Sequence, residues 1–159
     1  MIGCGWGRTK WDLRVEEVLQ SWLNTPYLAF RCEKGVGVDC VRFAFPGFLD
    51  EMYGFARTKI QKFPPDGALH NPRKARGAMR AILKLYPAHR RLEDADMIEA
   101  GDIGVCRLTA NSGPGHAVIA SAHPMSFYHT TSRGVTTTSY HNLQHLVSIY
   151  RPTDKDQWS

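Results

Sequence analysis

The stretch GVGVDCVRFAFPGFLDEMYG, residues 35 to 54, turns a Gly-rich run into a helix that carries a cysteine at its start. Val41, Phe45, Phe48, Leu49 and Met52 recur at i, i+4, i+7, i+8 and i+11, one helical stripe. Asp39 is a good N-cap, which puts Cys40 in the first turn, and Gly54 ends the helix. The free backbone N–H groups and the helix dipole at that end favour negative charge, so a thiolate is expected to be stabilised there. Iodoacetamide is therefore expected to modify Cys40 ahead of Cys4, Cys32 and Cys106. A buried structural cysteine fits the same local pattern, and at this point both readings stand. Pro46 interrupts the stripe and should remove a backbone bond and kink the helix.

Working outward, residues 11 to 23 read as a first helix with Leu13, Val18, Leu19 and Trp22 near one stripe, stopped by Asn24 and Pro26. Residues 57 to 70 look irregular, with Pro64, Pro65 and Gly67 as breakers. Asn71-Pro72 is a clean helix start, followed by the stripe Ala75, Met79, Ile82, Leu83 and Tyr86. Between Gly67 and Leu92 the chain has seven Lys or Arg and no acid, a solvated basic face or a surface for an anionic partner. After Gly101 the pattern changes to short segments rich in Val, Ile, Thr and Tyr. These run Asp102 to Leu108, His116 to Ser121, Met125 to Thr130, Val135 to Tyr140 and Leu146 to Tyr150, an antiparallel meander. Helices first and a sheet second predict an α+β domain, with the cysteine helix packed on the sheet.

Composition limits the function classes. A chain of 159 residues reads as one domain, spanning 1 to 159, with a single core. No stretch reaches membrane-spanning length, and the N-terminal segment lacks the apolar core of a signal peptide. The expectation is synthesis in the cytoplasm without a signal peptide. The four cysteines make no C-x-x-C pair, so zinc-ribbon and thioredoxin readings fail. The net charge of +5 suits an anionic partner, but no nucleic-acid motif supports that class.

Two histidines follow the cysteine, His116 in GPGHAVIA and His129 in FYHTTSRGV. With NTPY at 24 to 27, GVDC at 37 to 40, AGDI at 100 to 103, GHAVIA at 115 to 120 and FYHTTSRGV at 127 to 135, the chain resembles the NlpC/P60 cysteine peptidases. The resemblance implies a papain-like fold and hydrolysis of amide bonds in peptidoglycan stem peptides, between D-glutamate and the diamino acid. It looks most like the versions in phage and prophage tails, which implies phage tail proteins as further partners and a virion-associated location. Carried over residue by residue, it implies Cys40 as nucleophile, His116 as general base and His129 as the group that orients the base. Tyr27 and Asp39 fall at positions associated with the substrate. No cofactor and no metal are implied. Val41 departs from the serine that commonly follows the cysteine, and Pro46 is a second departure.

Strand geometry adds its own expectation. His116, Val118 and Ala120 alternate onto one face, so His116 should point at the cysteine helix while Ala117 and Ile119 pack elsewhere. His129 should lie beside it across the ladder. Nucleophile, base and orienter are the elements of acyl transfer. The rival readings are a zinc site built from the same three residues, an amidase or acyltransferase of the same fold, and a tail component that keeps the fold without the activity. His70, His89, His123, His141 and His145 have no motif support and read as surface or structural residues.

Overall fold

The computed structural model describes residues 9–53, 89–107, 114–143 and 146–152. The irregular stretch 57 to 70, the helix expected over 71 to 86, most of the basic run and Cys4 lie outside the described residues.

Helix α1 spans Lys10–Trp22 and opens on a capping box. The Thr9 hydroxyl accepts the Asp12 N–H at 3.1 Å, and the Asp12 carboxylate accepts the Thr9 N–H at 3.0 Å. The buried stripe is Trp11, Val15, Val18, Leu19 and Trp22, not the one that includes Leu13, which is 54% exposed. Leu13 sits about half a turn round from Trp11, and the large indole decides which face turns inward. Each end of the stripe is also pinned by a polar bond, from Trp11 Nε1 to the Ala100 carbonyl at 2.7 Å and from Trp22 Nε1 to Glu51 Oε1 at 2.9 Å.

The cysteine helix is helical from Cys40 to Tyr53, but in three pieces: α2 (Cys40–Arg42), a π-helical stretch (Phe43–Leu49) and α3 (Asp50–Tyr53). Pro46 lies inside the wide turns, where the extra residue per turn accommodates its missing N–H. The expected stripe of Val41, Phe45, Phe48, Leu49 and Met52 is buried, but so is every residue from Cys40 to Asp50, and no polar face lies opposite it. A helix enclosed on all sides needs no polar face. Val41, Phe43, Phe45, Phe48 and Met52 join the α1 stripe in one core.

The six-stranded antiparallel sheet has the order β3-β8-β4-β5-β6-β7. Its strands are β3 (His89–Arg91), β4 (Ile103–Arg107), β5 (Pro114–Ala120), β6 (Ser126–Thr131), β7 (Gly134–Ser139) and β8 (Leu146–Pro152). Strands β4 to β7 follow one another as a meander, as expected. The last strand does not extend it but returns to the far side of β4, where it also takes up β3. Ile103, Val105, Ala117, Ile119, Tyr128 and Val135 face the helices, while Cys106, Val118, Ala120 and Phe127 form a smaller cluster on the other face. Buried Glu16 ties helix to sheet, accepting the Ala122 N–H at 2.7 Å and the Tyr128 hydroxyl at 3.1 Å.

At the tip of the β6–β7 hairpin, Gly134 has φ +98, and a Cβ there would come within 2.5 Å of the Thr25 carbonyl oxygen. That close approach lets Val135 clasp the turn after α1, through Asn24 N–H to Val135 O at 3.0 Å and Val135 N–H to Thr25 O at 2.9 Å. Among the described residues, no helix is long and apolar enough to cross a membrane.

Candidate active site

The turn after α1 runs directly into the cysteine. Val38 donates to the Pro26 carbonyl at 3.0 Å, Leu28 donates to the Val38 carbonyl at 3.2 Å, and Tyr27 bridges Val38 in parallel. A two-stranded ribbon, β1 (Cys32–Glu33) with β2 (Gly37–Val38), closes the loop between them. Asp39 then caps α2 from an extended backbone, accepting the Arg42 N–H at 2.9 Å. Its other oxygen accepts the Phe30 N–H at 2.8 Å and pairs with Arg42 Nη1 at 2.7 Å. The Asp39 carboxylate, associated with substrate by its sequence position, is thus engaged inside the protein and 6% exposed.

Strand β5 is paired along its length with β4, but with β6 only at Ile119↔Tyr128 and Ala120↔Phe127. Toward its start the two strands part, and α2 packs against both. The Cys40 thiol donates to the Gly115 carbonyl at 3.7 Å, and the Ala117 amide lies on its other side. The sulfur therefore meets the strand backbone immediately before and after His116.

The expected face assignment is reversed. Ala117 and Ile119 pack toward the helices, whereas Val118 and Ala120 lie on the far face, the side on which Cys106 stands opposite His116. What brings Cys40 to the strand around His116 is the approach of the helix start to the strand end, not the pleat. His129 also reaches His116 without ladder pairing. The register would set His129 opposite Val118, but the pairing has stopped by then. The rings instead meet edge-on across the gap, Nε2 of His116 to Nδ1 of His129 at 3.0 Å. His116 Nδ1 has no hydrogen-bond partner among the described residues.

The electrostatics differ from the helix-start expectation. Burial pushes the Cys40 thiol up to about 12, and the negative charge of Asp39 adds to it. The amides of Ala117, Val41 and Cys40 pull the other way and are outweighed. Burial lowers His116 to about 4, with His129 contributing, and burial lowers His129 as well. In the resting protein the thiol and both imidazoles are neutral. Half-buried Tyr27 is raised by burial and then by the charges of Cys40 and Asp39, which keeps its phenol protonated.

One expectation reverses as a result. Cys40 is 8% exposed and held protonated, while Cys32 is partly exposed, its Sγ donating to the Arg42 carbonyl at 3.5 Å. Iodoacetamide at neutral pH should label Cys32 before Cys40 and Cys106 in the free protein. Site-resolved mass spectrometry of a labelling time course reads this directly, and Cys40 modified first would contradict it. Arg42 was overlooked in the sequence, although an acid at the cap with a base three residues on was there to be read. Exposed His123 and His141 stand apart from the cluster, engaged only in local turns.

No protein-family model matches the sequence, and no curated protein matches it. Among solved structures, the fold matches the crystal structure of the NlpC/p60 domain of the peptidoglycan hydrolase SagA, with a TM-score of 0.52. The match covers 88% of this chain and 97% of that one at 14% sequence identity. The chain has the papain-like α+β fold of that domain.

Proposed function

We propose that the protein is a cysteine peptidase that hydrolyses amide bonds in peptidoglycan stem peptides, with Cys40 as nucleophile, His116 as general base and His129 as its orienting partner. The observation that carries this reading is the placement of the Cys40 sulfur against the strand on both sides of His116, whose ring is held by His129. The fold shared with a peptidoglycan hydrolase domain supports the substrate class.

The chemistry follows from the neutral pair. For His116 to accept a proton at Nδ1, its Nε2 must carry one and donate to His129 Nδ1, a tautomer assigned from the hydrogen-bond geometry. Substrate binding displaces solvent and brings the carbonyl carbon to the sulfur. The Cys40 proton passes to His116 as the carbon–sulfur bond forms, and His116 then gives that proton to the leaving amine. Water hydrolyses the thioester by the same route. The Cys40 amide and the Tyr27 hydroxyl are the donors for the oxyanion, each supplying about 3 kcal/mol. The bond cut is that between D-glutamate and the diamino acid, and the setting is a phage or prophage tail.

Digestion of purified peptidoglycan with mass analysis of the fragments tests the proposal. The expected result is release of peptides that begin with the diamino acid, with stems ending in D-glutamate left on the glycan. Fragments separated between sugar and peptide would indicate an amidase, and no release at all would sink the enzymatic reading.

A further inference from the structure

Arg42 lies one turn into the cysteine helix, 3% exposed, with Nη1 2.7 Å from the Asp39 carboxylate. A buried ion pair contributes little to stability on balance, yet losing one partner leaves an uncompensated charge. Here that charge would stand on the residue adjoining the nucleophile. The titratable groups on the elements packed here are Asp39 at the helix start, Tyr27 from the preceding turn, and the bonded pair His116 and His129 on the two strands against α2. Among these described groups, Asp39 is the acid next in sequence to the cysteine, and Arg42 is the cation paired with it.

Resting on the reading of Cys40 as nucleophile, we propose that Arg42 is a positioning residue for it. Paired with Asp39, Arg42 holds the cap in place and offsets part of a negative charge that still opposes thiolate formation. Its guanidinium also lies 5.2 Å from the Phe30 ring centroid. Phe30 itself has φ +63, an uncommon backbone for a bulky residue, and its N–H is held by Asp39. The pair therefore fixes both the helix start and the loop that leads to it.

The test reads Cys40 itself rather than turnover, so its failure is separate from failure of the peptidase reading. Iodoacetamide labelling of Cys40, resolved by mass spectrometry across neutral to alkaline pH, gives a rate and the midpoint of its pH dependence. Arg42→Met should slow labelling at a fixed pH by roughly tenfold or more, the effect of losing one opposite charge at short range. Arg42→Lys, which keeps the charge, should stay near the parent. Asp39→Asn, which keeps the cap, should move the midpoint down, and in the Arg42→Met background it should restore the parent rate. If Arg42→Met does not fold, Arg42→Lys and Asp39→Asn decide. A purely structural role would change rates equally at all pH values. An unmoved midpoint in Asp39→Asn, or a double variant no faster than Arg42→Met, overturns the proposal.

Discussion

Cys40→Ala should lower hydrolysis of peptidoglycan peptides by roughly four to six orders of magnitude, the scale seen when a covalent nucleophile is removed. The fold should survive, because Ala removes only the sulfur from a helix start whose cap is the Asp39 side chain. A thermal melt within a few degrees of the parent would confirm that the loss is chemical. Cys32→Ala and Cys4→Ala should keep most activity. Cys106→Ala is the sharper control, since Cys106 pairs directly across from His116 in the ladder and is 4% exposed. It should cost some stability through a small cavity while hydrolysis persists. An active Cys40→Ala protein would mean that the nucleophile has been misassigned.

The two histidines should separate by role. His116→Ala should match the loss at Cys40, and the double variant should be no worse than either single one, because the groups act as a unit. His129 is asked only to accept a hydrogen bond from His116 Nε2. His129→Asn and His129→Gln still offer an acceptor and should retain measurable activity, whereas His129→Ala should fall by roughly a hundredfold or more. His123→Ala should be close to silent, since that residue is exposed and bonds only within its own turn.

The pH profile adds a signed expectation. His116 must be deprotonated to act as base and is lowered to about 4 by burial and then by His129. The acid limb of kcat/KM should therefore lie near pH 4, well below that of an ordinary histidine. His129→Asn removes the charge that His129 contributes, so His116 rises and the limb moves toward neutral pH. An acid limb unchanged by His129→Asn would count against direct contact between the rings in solution.

Much of the architecture was legible because its signals are local. The Asp39 cap and the alternation of β4 to β7 can both be read from a few adjacent residues. What escaped was decided by distant parts of the chain. The return of β8 to β4 is a long-range pairing, and β3 is a short polar strand with no alternation to announce it. The cysteine helix carries a helical period, but no period reveals that Trp22 and the sheet enclose it on every side. The candidate residues Cys40, His116 and His129 could be named from their motifs, yet the reason they meet could not. That reason is where the β5–β6 pairing stops, which depends on the helix filling the gap. The thiol's charge state was misread for a related cause: a helix start favours the thiolate, but burial, visible only in the folded protein, favours the thiol more strongly.

That protonated, enclosed sulfur has a bearing on how the protein endures its surroundings. Peroxide and disulfide reagents attack thiolates at accessible sites, and sulfinic or sulfonic products are not recovered. Cys40, kept as a thiol at 8% exposure, is poorly placed for such damage. Under the proposed function, oxidative lifetime and catalytic readiness are set by the same event, the arrival of substrate, so an idle molecule would age slowly and a working one would face the oxidant only while it turns over.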